Sequence, residues 1–162
     1  MKLRLLIMWG VAAVVLVVTN VLIIQKERLL ASPQGILLEL APVDPRSLVQ
    51  GDYMALRFAL ANQAASAVGR SRESSDGRIV ATLDERRVAS FRRLHDGKPV
   101  ASDEVLLRYR VREGEMKFAT NAFFFQEDTA QRYEGARYGE FRVAPDGELL
   151  LTDLRDKDLK PL

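Results

Sequence analysis

Few residues of this 162-residue chain could do acid–base or nucleophilic work, and they are scattered. The single histidine, His95, stands in His95-Asp96-Gly97-Lys98, where Asp-Gly favours a hairpin turn. A histidine in such a turn is expected to be solvated and inert. Cysteine is absent, so the usual zinc ligand sets cannot be assembled around one histidine, and no metal or other cofactor is expected. Gly69 and Gly77 are isolated and form no phosphate-cradling loop. Ser47 is the candidate nucleophile, and a nucleophilic serine needs a base beside it. The central strands instead carry Arg86, Arg87, Arg92 and Arg93, which keep their protons, while Lys98 and Lys117 read as turn residues. Asp153, Asp156 and Asp158 alternate with Arg155 and Lys157, the pattern of a solvated tail. No catalytic residue is expected.

The most informative stretch runs from Val43 to Phe58. Asp44-Pro45 starts a turn, Gly51 permits a backbone angle other residues resist, and Asp52 can accept bonds from nearby amides. From Tyr53 to Leu60 the residues alternate: Met54, Leu56, Phe58 and Leu60 share an inward face, and Tyr53 opens the opposite one. Gly51, Asp52, Tyr53, Leu56 and Phe58 are therefore the candidate site. Its plainest role is a turn before a core strand, and its functional role is a binding surface around Asp52 and Tyr53.

Strand signals dominate the elements that would hold this site. Gly35–Leu40, Arg78–Leu83, Arg87–Leu94, Glu104–Arg112, Met116–Ala119, Phe123–Phe125, Tyr138–Val143 and Glu148–Leu154 all read as strands, with Pro145-Asp146-Gly147 turning the last pair. In Glu104–Arg112, Val105, Leu107, Tyr109 and Val111 point inward. Arg108, Arg110 and Arg112 point outward, as a solvated face paired with cross-strand acids or as a surface for anionic headgroups. Ala61–Gly77 reads as a mobile connection with a helical turn near its start. Asp128-Thr129-Ala130-Gln131 has a capping-box arrangement, which predicts a short helix from Thr129 to Ala136 or Arg137. The fold class is mainly β, or α+β: one N-terminal transmembrane helix, then an antiparallel β-rich domain with one short helix.

Residues 5–24 carry no charge and are long enough to span a bilayer's hydrocarbon core of about 30 Å. Thr19 and Asn20 can bond within a helix, and Trp9 lies where an interfacial indole is expected. The stretch exceeds a typical cleaved signal and lacks a small-residue cleavage site, so a retained signal anchor is the reading. Lys2 and Arg4 precede the span, which favours residues 1–4 in the cytoplasm, 25–34 as linker and 35–162 as an exported domain at the bacterial inner membrane. From Gln25 onward twenty-two Lys and Arg balance all twenty-two Asp and Glu, so no nucleic-acid partner is expected.

Gly51-Asp52-Tyr53-Met54-Ala55-Leu56-Arg57-Phe58 resembles the signature of the GDYXXLXY protein family, bacterial membrane-associated chains, with Phe58 where the family's name has Tyr. The N-terminal span, the chain length, Phe123–Phe125 before a Glu-containing helix and the Asp146-Gly147 turn extend the resemblance. It implies a membrane address and no reaction. A weaker likeness links Val49–Leu56 to the strand after the serine of type I signal peptidases, without their lysine-bearing strand. The expected function is a single-pass, non-enzymatic exported domain that binds or supports another envelope membrane protein, a multi-pass one included. The alternative is a signal-peptidase-like hydrolase, which requires a lysine or histidine beside Ser47.

Overall fold

The structure, a computed structural model, describes residues 2–30, 35–41, 49–50, 53–68, 75–120, 122–126 and 129–162. The chain divides into two compact units, Met1–Pro33 and Gln34–Leu162. The first holds helix α1 (Lys2–Leu30). From Leu6 to Ile24 its apolar side chains stand exposed on every side, Trp9 and Leu16 among them, which a helix buried against protein would not show. Thr19 Oγ1 donates to Val15 O (2.9 Å) and Asn20 Nδ2 to Leu16 O (2.8 Å), so both polar side chains are satisfied inside the helix. Leu6–Glu27 is long and apolar enough to cross a membrane.

In chain order the second unit contains β1 (Gly35–Glu39), β2 (Val49–Gln50), β3 (Tyr53–Ala55), α2 (Ala59–Val68), β4 (Ser75–Leu83), β5 (Ala89–Leu94), β6 (Glu104–Arg112), β7 (Glu115–Phe118), β8 (Ala122–Phe124), α3 (Ala130–Tyr133), β9 (Tyr138–Val143) and β10 (Leu149–Arg155). They form three antiparallel sheets, ordered β1-β9-β10, β2-β3-β8 and β5-β4-β6-β7. Short links join the sheets. Leu37 N donates to Arg87 O (2.9 Å), Ala41 N to Arg57 O (2.7 Å) and Arg108 N to Gly147 O (2.8 Å). Period-two alternation explains the core: in β6, Leu107, Tyr109 and Val111 are buried while Arg108 and Arg110 are exposed. Ile36, Leu38, Ile79, Phe118, Phe141 and Leu154 close around them.

The sequence reading of a β-rich antiparallel domain behind an apolar helix holds, with corrections in four places. Met54, Leu56, Phe58 and Leu60 are all buried, as alternation predicts, yet the strand stops at Ala55 and Leu60 already lies in α2. The segment Ala59-Leu-Ala-Asn-Gln-Ala-Ala-Ser-Ala-Val is rich in the best helix former, and Leu60 and Ala64 fall on one buried stripe four residues apart. The ten-residue helix thus takes the first eight residues of the expected mobile connection and β4 its last three, and the helix is docked by Gln63 Oε1 accepting from Phe91 N (3.2 Å).

His95–Lys98 turns the chain, with Gly97 at φ +85°, but it does not join a hairpin. Strands β5 and β6 both pair with β4, so the connection crosses over that strand. The late helix is a single turn, and Thr129 Oγ1 donates to Gln126 O (2.6 Å) instead of capping it; Asp128 lies outside the described residues. The C-terminal acids are not a tail. Asp156 Oδ1 accepts from Asp158 N (2.8 Å) and Lys160 N (2.9 Å), and Leu162 N returns to Leu154 O (3.1 Å), which folds the end back onto β10.

Candidate functional site

Strands β2 and β3 pair with Gln50 opposite Tyr53, leaving two residues of sequence, Gly51 and Asp52, between them. These two lie outside the described residues, as do Asp44, Pro45 and Ser47. The rest of the candidate site separates into an inner and an outer set. Strand β3 pairs on its other edge with β8, matching Tyr53 to Phe124, Met54 to Phe123 and Ala55 to Ala122. Cross-strand partners share a face, so Met54 and Phe123 turn to the core while Tyr53 and Phe124 turn away from it.

Leu56 and Phe58 belong to the inner set, at 2% and 3% exposure. The Phe58 ring meets Phe141 edge-on at 5.4 Å between centroids, a favoured aromatic geometry. Gly139 makes room for that pair, since a Cβ there would stand 2.9 Å from Phe141 and 3.3 Å from Phe58. A phenylalanine at position 58 is therefore a packing residue. Leu56 and Phe58 also line a groove of about 170 Å³ beside α2, bordered by the exposed Arg57–Glu115 ion pair (3.7 Å). That volume falls below the roughly 300 Å³ at which small-molecule sites begin.

The outer set is aromatic and open. Tyr53 is half-buried, its ring 5.8 Å from that of Phe124. Phe124 keeps 74% of its surface exposed; outside α1, Leu94 is the other exposed large hydrophobic among the described residues. Its neighbours in sequence behave differently, because Phe123 and Phe125 both pack on Tyr133, at 5.0 and 5.4 Å. Alternation along β8 thus turns the middle ring of the triple phenylalanine outward and its two neighbours inward.

The ionisable groups are arranged for structure. His95 is half-buried rather than solvated, with its backbone N–H bonded to Arg78 O (3.0 Å) and its ring Nδ1 buried without a hydrogen-bond partner among the described residues. Glu104 is buried at its side chain and holds Arg92 (2.9 Å) and Arg93 (3.5 Å). Glu140 accepts from Arg155 Nε (2.6 Å) and lies 3.7 Å from Arg142. The hydrogen bond from Lys98 lowers the Asp96 carboxyl to about 2. That ionised turn therefore persists at all but strongly acidic pH. Among the described residues no three His, Asp or Glu side chains converge as a metal site.

No curated protein and no solved structure matches this chain. The family described as GDYXXLXY protein matches residues 15–154, from within the apolar helix to the end of the last strand. That match spans most of the molecule and includes both the inner and the outer residues of the motif, so the chain belongs to the GDYXXLXY protein family.

Proposed function

We propose that this protein is a membrane-anchored, non-enzymatic domain on the exported side of the bacterial inner membrane, where it binds or supports another envelope membrane protein. The observation that carries this reading is the Tyr53–Phe124 pair on the outer face of sheet β2-β3-β8. An exposed aromatic costs solvation unless something covers it, and rigid aromatic rings are the commonest anchors of protein interfaces. The family motif contributes Tyr53 to this outer face and Leu56 to the core beneath, so one short segment serves both the fold and the surface. Confinement of α1 to a bilayer raises the effective concentration of any partner in the same membrane. The shielded His95 and the structural pairing of Glu104 and Glu140 support a binding role over a catalytic one.

Two experiments test this. Reporter enzymes fused after Leu162 should be active in the exported form and silent in the cytoplasmic form, because Lys2 and Arg4 precede the span; the reverse pattern would invert the topology. For the contact surface, Phe124→Ala and Tyr53→Ala should weaken co-purification of a defined membrane partner. That partner is first identified through a photo-crosslinking residue placed at position 124. Phe124→Ala should change stability by no more than about 0.5 kcal/mol, as expected of an exposed position. A stability loss as large as that of a core truncation would make the aromatic face structural and remove it as a contact.

A further inference from the structure

A second surface of the domain departs from ordinary cross-strand charge pairing. Sheet β5-β4-β6-β7 turns Ile79, Leu107, Tyr109 and Phe118 to the core, and its register arranges the opposite face in rows. In one row Arg78 stands directly opposite Arg108. In the next, Asp76, Arg110 and Lys117 lie side by side, and beyond them Arg112 faces Glu115. Lys117, a turn residue by its sequence context, lies inside β7. Like charges directly opposite one another on neighbouring strands destabilise a sheet.

The carboxylates on this face are already engaged. Asp76 Oδ1 is 2.8 Å from Arg112, and Glu115 reaches Arg57. Arg78 Nε donates to Asp146 O (3.1 Å) and an Arg110 guanidinium N–H to Ala119 O (2.9 Å), both backbone carbonyls, while the Asp146 carboxylate accepts from Glu148 N (3.1 Å). Among the described residues no ion pair reaches Arg78, Arg108, Arg110 or Lys117. Elsewhere in the domain arginines do find carboxylates: Arg92 and Arg93 on Glu104, and Arg142 and Arg155 on Glu140. Arg86, Arg87, Arg132, Arg137, Lys157 and Lys160, outside the strands of this sheet, also have no ion pair among the described residues, but here four such cations share one face.

We infer that this face docks on anionic phospholipid headgroups. The inference rests on the reading of α1 as a membrane anchor. Four residues of sequence separate Leu30 from Gly35, so the tether holds the domain at high effective concentration beside a headgroup surface. A negative bilayer surface attracts such a cluster, each basic residue adding about fivefold to binding. An acidic protein segment would meet the same charges, but the tether favours the surface that is always present.

The chain has no cysteine, so Ser75→Cys, at the exposed start of β4, accepts a single fluorescent donor. The full chain is placed in nanodiscs of phosphatidylcholine, or of phosphatidylcholine with phosphatidylglycerol, with acceptors on the headgroups. Energy transfer should rise at least twofold in the anionic discs, fall with added salt, and lose its dependence on lipid charge in Arg108→Glu/Lys117→Glu. Each of those substitutions sets a carboxylate opposite an arginine, Arg78 or Arg110, so the double variant should melt no lower than the wild type. Transfer indifferent to phosphatidylglycerol in a properly inserted chain would overturn the inference. So would a lower melting temperature in the double variant, which would make the cations structural. Loss of an acidic membrane protein from the variant without any change in transfer would reassign the face to a protein. A full chain that never enters the nanodiscs would overturn the anchor reading itself and the inference with it.

Discussion

Phe58→Ala should destabilise the domain by about 3–5 kcal/mol, the range for removing a buried phenylalanine. The residue is 3% exposed, and its ring is held against Phe141 over the gap left by Gly139. Two packed elements form that gap, β9 carrying Gly139 and Phe141 and the β3–α2 connection carrying Phe58, so collapse would require both to shift. An unrelaxed cavity and a lost aromatic contact then add together. Against a typical net stability of about 5–15 kcal/mol, a loss of this size would leave the protein barely folded. Phe58→Leu should cost much less, about 1.5 kcal/mol or below, because most of the volume is kept. The measurement is denaturation of the full chain in detergent followed by far-ultraviolet circular dichroism, since the only tryptophan, Trp9, sits in α1 and its fluorescence does not report the domain. A Phe58→Ala loss no greater than that of Phe124→Ala would show that position 58 is not a core anchor.

Gly77→Ala should destabilise by about 1–3 kcal/mol, although alanine at an ordinary strand glycine is favourable. Gly77 lies in β4 directly opposite Tyr109 of β6, and the tyrosine ring crosses over it. A Cβ at position 77 would stand 2.5 Å from the Tyr109 hydroxyl oxygen and 2.6 Å from Cζ, well inside van der Waals contact. Tyr109 is only 8% exposed, so the ring has little room to swing aside. The mechanism is checked by a double-mutant cycle with Tyr109→Leu, whose shorter side chain ends before the collision. Gly77→Ala should cost clearly less in that background, giving a coupling of about 1 kcal/mol or more. Equal costs in both backgrounds would mean that the ring does not set the requirement for glycine.

How far the sequence carries is visible in single residues. Alternation in Glu104–Arg112 specified both the strand and the residues it buries, because side chains in a strand point to opposite faces whatever lies beyond them. The same local logic placed Leu56 and Phe58 in the core. It misread Ala59–Val68, where an alternating apolar row ran on into an alanine-rich helix, because Leu60 and Ala64 satisfy a helical period as well as Leu60 satisfies a strand. The signal for α2 was present in its alanine content and was outweighed by the preceding alternation.

By itself the sequence determined the apolar N-terminal helix, the β-rich antiparallel class, the family, and the inward row of the motif, all properties of residue type and period along one segment. The tertiary structure decided which strands are neighbours: β4 between β5 and β6, β8 against β3, and β9 between β1 and β10. It thereby decided that Tyr53 meets Phe124, that Gly77 seats Tyr109, that Arg78 faces Arg108, and that Arg110 lies between Asp76 and Lys117. Each of these contacts joins residues 30 or more positions apart, except Arg110 with Lys117 across its hairpin. Periodicity constrains which way a side chain points along its own strand. It carries no information on what the neighbouring strand will set opposite, and that choice emerges only when the whole chain packs.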